Sequence, residues 1–379
     1  VSRPQTANAM SFAPDTATAL PLHVLRPDEL EGFLSGIGKG WAGWLRSSGF
    51  EAGLGELRLL PGPKGEVLGA VAGFGAAQAR RRLRFGLAKV VPALPTGDWA
   101  LQGVLSAAER TEIALGWLLA GYRFDRYRPG RKPADLPRLV CPEGVDTDRL
   151  IAMAEGEALT RDLINTPAQD MGPGELEVVL NSLARSYGAK VAVTSGDALL
   201  ARNFPMIHAV GRASPRAPRL LDLTWGDKGP KLTLVGKGVC FDTGGLNLKP
   251  SNGMNLMKKD MGGAATVMGL AQMIMALNLP LRLRVLIPAV ENVVSGNALK
   301  PKDILTSRKG LTVEVNDTDA EGRLILADAL AYACEDRPDL LISMATLTGA
   351  ARVAVGPDLA PYYCDDARIA AALEGGAAE

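Results

Sequence analysis

Residues Asn316 to Leu324 read N-D-T-D-A-E-G-R-L, so Asp317, Asp319, Glu321 and Arg323 share one short run. Crowded carboxylates repel one another, and each has its pKa raised unless something cationic sits among them. A metal ion is the usual answer. The plain alternative is a capped helix start, because negative charge is favourable at a helix N-terminus. A second stretch, Val235 to Pro250, reads V-G-K-G-V-C-F-D-T-G-G-L-N-L-K-P, and M-K-K-D-M-G-G follows from Met257 to Gly263. Lys237, Asp242, Lys249 and Asp260 stand there among glycines and large apolar residues, not in a solvated polar run. Lys237 is not a phosphate-loop lysine, since no G-x-x-x-x-G-K precedes it and Gly238 replaces the Ser or Thr. With Asp319 and Glu321 added, four carboxylates match the charge of two divalent cations. Such a pair lowers the pKa of a water and polarises a carbonyl. A lysine can be a ligand only as the neutral amine, which requires a dication to suppress its pKa. A second lysine, kept charged, could stabilise an oxyanion. His23 and His208 are the only histidines, which removes H-E-x-x-H chemistry and any three-histidine zinc site. Oxygen ligands must therefore carry most of a metal site.

Positioning those residues falls to the elements around them. Leu311–Val315 alternates and is β-branched, predicting a strand, and the Ala/Leu-rich run after Arg323 predicts a helix. Ligands bind beyond the carboxyl ends of strands in open α/β sheets. Further strands are predicted at Lys190–Thr194, Pro205–Val210, Leu220–Trp225, Lys231–Gly236, Leu283–Ile287 and Leu340–Leu347. Helices are predicted at Glu175–Tyr187, Asp365–Leu373 and, apolar on nearly all faces and so buried, Gly262–Leu279. The alternation predicts an α/β fold with a mostly parallel sheet covered on both faces. Earlier in the chain, Leu57–Leu60 and Val67–Ala72 read as strands joined by the turn Pro61–Gly65, and Ala107–Ala120 as a helix. Trp41 and Trp44, three apart, are expected on one helix face as core or staple. The organisation expected is two domains. A smaller N-terminal α/β domain covers 1–145 and ends in a Pro-rich linker, Arg126–Pro142. A catalytic domain covers 146–379 and opens with a connecting helix, 146–164, capped by Asp146 or Thr147 and stopped before Pro167.

Composition narrows the function classes. The chain has 379 residues, 47% hydrophobic and 22% charged, and 42 Lys+Arg against 41 Asp+Glu leave a net charge of +1. No global field marks a nucleic-acid partner. The only basic cluster, Arg80-Arg81-Arg82-Leu83-Arg84, reads as a solvated helix face, since no aromatics interleave it. Gly73-Phe74-Gly75 begins like a dinucleotide fingerprint but places Gln78 where a third glycine belongs. Four scattered cysteines form no C-x-x-C, which fits a reduced, cytoplasmic setting. No apolar run approaches ~20 residues, so no membrane span is expected, and Val1–Leu25, with Pro4, Pro14 and Pro21, does not read as a signal peptide.

The series V-G-K-G-x-x-F-D-[ST]-G-G, K-P, M-K-x-D-M-x-G and N-T-D-A-E-G-R-L, the last with Asp317 in place of its Asn, resembles, in order and spacing from about Asn165 to Gly349, the leucyl aminopeptidase (M17, cytosol aminopeptidase) family. The resemblance implies a dinuclear metallo-exopeptidase that removes N-terminal residues, preferably apolar ones such as leucine, from peptides with a free N-terminus. It implies that Lys237, Asp242, Asp260, Asp319 and Glu321 hold two zinc or manganese ions, with Asp242 and Glu321 bridging. Lys249 would stabilise the oxyanion, and Arg323 would hold a bicarbonate acting as general base. Met257, Thr346 and Gly349 would line the pocket for the N-terminal side chain, and the assembly would be a homo-hexamer if the C-terminus is complete. Two departures stand out. Asp317 occupies a position where the family carries Asn and faces substrate, and the chain stops at Glu379 where relatives continue, so the catalytic domain is expected to be cut short. The alternatives are a catalytically impaired relative with a binding role, for example for DNA, and a Cys-Gly-type dipeptidase on the same scaffold.

Overall fold

The computed structural model describes residues 10–14, 18–128 and 136–378, and the chain divides into two compact units, 1–159 and 160–379. The division falls within the helix Thr147–Asn165, whose start is capped by the Asp146 carboxylate accepting from the Arg149 N–H at 3.0 Å.

In the first unit five strands, β1 (Leu20–Leu25), β2 (Leu57–Pro61), β3 (Val67–Gly73), β4 (Asp98–Gln102) and β5 (Arg138–Leu139), lie in the order β2-β3-β1-β4-β5. Only the β2–β3 hairpin is antiparallel. The helix Ala107–Ala120 starts at a capping box, in which Ser106 Oγ accepts from the Glu109 N–H and the Glu109 carboxylate accepts from the Ser106 N–H. This satisfies two of the donors that a helix start leaves orphaned. Leu22, Val24, Ala70, Trp99 and Trp117 are buried in this unit's core.

Two expectations need correction here. Trp44 is 44% exposed, not core. Trp41 and Trp44 instead donate their indole N–H groups to the carbonyls of Pro61 and Leu59, satisfying acceptors on the outer strand of the sheet. The expected Pro-rich linker contains β5, which pairs with Asp98 and Trp99, while Pro129 and Pro133 lie outside the described residues. Pro4 lies outside them as well. In the basic run, Arg80 sits over the Phe74 ring, 4.4 Å from its centroid, and donates to the Gly75 carbonyl.

The second unit is built on a six-stranded sheet. β6 (Lys190–Ser195), β7 (Arg219–Trp225), β8 (Lys231–Gly236), β9 (Gly238–Asp242), β10 (Arg282–Asn292) and β13 (Leu340–Met344) run in the order β13-β8-β10-β7-β6, with β9 on the far end of β10. β11 (Ile304–Thr306) and β12 (Thr312–Glu314) form a separate antiparallel hairpin, so the strand before Asn316 does not belong to the main sheet. That sheet is mixed. β13, β8, β9 and β10 are parallel, but β7 is antiparallel to β10 and β6 to β7. The short link between β7 and β8 cannot hold a crossover helix, so β8 runs back against the direction of β7.

β10 runs five residues beyond the predicted Ile287, through Pro288 to Asn292. Pro288 lies within the strand, which thereby reaches the site. Pro205–Val210, predicted as a strand, lies in the helix Pro205–Gly211. The N–H groups of its first turn bond the Asp328 carboxylate, and a short apolar run does not reveal its period. The other elements form where expected. The helix Gly262–Ala276 is buried along most of its length, and Val235, Val239, Leu286, Val290 and Ile325 share one core.

Candidate metal centre

β8 ends at Gly236, and Lys237 fills the step between β8 and β9. Its N–H donates to the Met344 carbonyl, its own carbonyl accepts from Ala264, and its side chain is 3% exposed. The backbones approach so closely there that a Cβ on Gly263 would lie 2.1 Å from the Met344 oxygen. The Lys237 ammonium meets Asp260 at 2.8 Å and Glu321 at 2.9 Å, and donates to the Thr346 carbonyl at 2.8 Å. Burial lowers its pKa, but the Glu321 and Asp260 charges raise it more, so the net direction is upward. Gly322 leaves room for this side chain: a Cβ there would lie 2.4 Å from Lys237 Cε.

Asp242 ends β9, buried. One of its oxygens accepts from the Gly244 N–H at 2.9 Å and from Asn292 Nδ2 at 2.8 Å. The other meets the Lys249 ammonium at 2.9 Å, and Lys249 also pairs with Asp319. Burial lowers the Lys249 pKa, and its hydrogen bonds to Asp319 and Asp242 more than reverse this, so it is raised. Asp319 sits in the one-turn helix Thr318–Ala320, whose cap is Asp317: its carboxylate accepts from the Asp319 N–H at 2.9 Å. The capping role thus falls to Asp317 alone of the three acids' side chains. Asp319 is raised by burial and by the Asp242 charge, against Lys249.

Glu321, 1% exposed, opens the helix Glu321–Glu335. Burial above all, with the charges of Asp242 and Asp260 against that of Lys237, pushes its carboxyl up to about 7. Asp260 is likewise raised, first by burial. Its Oδ1 accepts from the Thr346 hydroxyl at 2.8 Å.

The oxygens of Asp242, Asp319 and Glu321 lie within 4.8 Å of one another. Among the described residues, Glu321 Oε2 is buried with no hydrogen-bond partner, and Asp260 Oδ2 touches Lys237 without hydrogen-bonding geometry. A buried carboxylate oxygen left unbonded costs free energy. Oxygens so placed, with an amine beside them, suit divalent cations of the hard and borderline classes. The donor set therefore fits a metal. Of the other expected residues, Met257 is half-buried, Arg323 is exposed on the first turn after Glu321, and Gly349 is exposed at the start of the helix Ala350–Val355.

Sequence reasoning missed Asn292 and Thr318, both buried. Asn292 escaped because the predicted strand ends at Ile287, five residues short of it. Thr318 escaped because a threonine between two acids carries no signal of its own, although its N–H and hydroxyl both bond Asn247 and its hydroxyl reaches the Gly244 carbonyl.

Comparison with known proteins adds an independent line. The sequence model of the cytosol aminopeptidase family, catalytic domain, matches residues 158–379, and that of the M17 aminopeptidase N-terminal domain matches 20–142. A probable cytosol aminopeptidase of Leifsonia xyli is 37% identical over 97% of this chain and 77% of its own length. One from Rhodococcus jostii is 40% identical over 69% of this chain and 55% of its own length, so the alignment spans only about half of that relative. Among solved structures, the cytosol aminopeptidase of Coxiella burnetii is 42% identical with a TM-score of 0.84, covering 91% of this chain and 74% of that one. The bottromycin maturation enzyme BotP in complex with Mn is 32% identical with a TM-score of 0.84, covering 96% of this chain and 80% of that one.

Proposed function

This chain belongs to the cytosol aminopeptidase family, and from that premise we propose that it is a metal-dependent aminopeptidase cleaving the N-terminal bond of peptides, with a preference for apolar first residues such as leucine. The observation that carries the reading is the set of three carboxylates, Asp242, Asp319 and Glu321, with one oxygen of each within 4.8 Å of the others, beside a buried Glu321 oxygen that none of the described residues bonds. Lys237, Asp242, Asp260, Asp319 and Glu321 would hold two divalent cations, zinc or manganese. Manganese is the ion named with BotP. Such cations supply Lewis acidity and lower the pKa of water.

The chain's own residues do the rest. Lys249, its pKa raised by Asp319 and Asp242 against the effect of burial, stays charged at neutral pH. It is placed to stabilise negative charge developing on the scissile carbonyl. Lys237 is held charged by Glu321 and Asp260, so serving as a ligand requires it to lose a proton, and metal uptake releases protons. Arg323, exposed beside the cluster, is the residue to hold a bicarbonate as general base. Met257, Thr346 and Gly349 form the pocket for the first side chain of the substrate, and Asp317 faces its second residue. Cytoplasmic location and a homo-hexameric assembly belong to the same reading. No helix among the described residues is long and apolar enough to cross a membrane.

The test is a substrate panel. Leucine p-nitroanilide should be cleaved faster than the glutamate and lysine anilides, and its N-acetylated form not at all. Chelation should abolish turnover, and added Mn²⁺ should restore it. Cleavage of the blocked substrate would contradict an exopeptidase.

A further inference from the structure

We infer that Asn292 is a positioning residue that locks the turn bearing Asp242 to the turn bearing Asp319, by donating both hydrogens of its carboxamide, one to each turn. Asn292 is 5% exposed and is the last residue of β10, paired with Asp242 of β9. Its Nδ2 donates to Asp242 Oδ1 at 2.8 Å and to the Thr318 carbonyl at 3.1 Å. Its own carbonyl accepts from the Thr243 N–H at 2.9 Å and the Thr243 hydroxyl at 3.0 Å.

The consequence for Asp242 is directional. One oxygen carries two donors, Gly244 N–H and Asn292 Nδ2, and the carboxylate cannot rotate without breaking both. The other oxygen therefore stays turned to Lys249 and the cluster. On the far side, Thr318 is already tied to the first turn, through Asn247 and the Gly244 carbonyl. Asn292 closes this lattice from β10, the central strand. The fit is tight: a Cβ on Gly245 would lie 2.9 Å from Thr318 Oγ1 and 3.0 Å from Asn292 Oδ1. Two loops far apart in sequence, 242–249 and 317–321, thus take their spacing from one strand end. A dinuclear site needs such fixed spacing, because ligand atoms that drift apart lose affinity even when all remain present.

This inference rests on the metal reading above, and its test separates the two. Mn²⁺ binding to the full chain is measured by equilibrium dialysis, together with the electron paramagnetic resonance spectrum of the bound ion. Asn292→Ala removes both donors, and Asn292→Leu removes them while filling the space, so that a cavity is not what is measured. Each should weaken Mn²⁺ binding roughly 10- to 100-fold, the usual range for lost supporting partners, and alter the spectrum. Asp328→Asn, away from the ligands, lowers thermal stability and leaves both readouts unchanged. A purely structural role for Asn292 predicts the Asp328 pattern: a lower melting temperature with affinity within about twofold of the parent protein. That result in either folded variant overturns the inference alone. A parent protein that binds no Mn²⁺ overturns the metal reading itself, and the inference with it.

Discussion

Glu321 and Asp328 are buried acids on the same helix, two turns apart, and both have raised pKa values, first because burial penalises the charged form. Their surroundings differ. The Asp328 carboxylate is bonded by backbone: Met206 N–H at 2.8 Å, Ile207 N–H at 3.4 Å and Arg308 N–H at 2.8 Å. It caps one helix and pins a loop. Glu321 has one oxygen on a lysine shared with Asp260 and one with no partner among the described residues, with Asp242 and Asp319 oxygens close by. A buried charge with every oxygen occupied stabilises a fold. One left underbonded among like charges is held there by the rest of the structure, as functional groups commonly are.

Substitutions can break or sharpen this contrast. The largest effect is expected at the cluster. Lys249→Ala should lower kcat on leucine p-nitroanilide by at least roughly 10²–10³-fold, the scale for removing an oxyanion stabiliser. Asp260→Ala should abolish hydrolysis with the far-ultraviolet circular dichroism unchanged. Full activity in either would sink the site assignment. Asp328→Ala should do the reverse. Leaving backbone donors buried and unbonded costs about 1–3 kcal/mol each, so a loss of roughly 3 kcal/mol or more is expected in urea unfolding, with metal affinity intact in the chains that remain folded. An unchanged urea midpoint would erase the distinction between the two acids.

Gly322→Ala comes next. The new Cβ meets Lys237 at its Cε, and that side chain is tied to three partners, so a stability loss of about 1–3 kcal/mol is expected. Weakened metal binding should accompany it, and crystals of the variant should show Lys237 displaced. Asp317→Asn should have the smallest effect. Removing one exposed charge should raise kcat/KM a few-fold for substrates with an acidic second residue, about 1 kcal/mol or less, leaving leucine amide unchanged. Equal changes across all second residues would reduce Asp317 to its capping role.

The ligand-type residues were legible because chemistry needs particular residue types. Lys237, Asp242, Lys249, Asp260, Asp319 and Glu321 stood out as charges among glycines and apolar neighbours, and the structure gathers all six. Element types were legible in the longer runs, by periodicity in the helix Pro173–Tyr187 and by length and all-round apolarity in Gly262–Ala276. Three features resisted. The Pro205 helix is too short to show its period and owes its start to Asp328, 122 positions away. The strand directions depend on how short links fold back, and the two antiparallel pairings of β7 left no mark in composition. The supports, Asn292 and Thr318, are neutral residues whose importance comes from where their hydrogen bonds end.

The central claim is that underbonded carboxylates mark a metal site that performs hydrolysis. Metal content and leucine p-nitroanilide turnover, measured on the same purified chain with and without added Mn²⁺, test it directly. Two bound ions per chain with turnover that rises and falls with them is the predicted result. A folded chain that takes up no metal, or that turns over equally well after complete chelation, would contradict it.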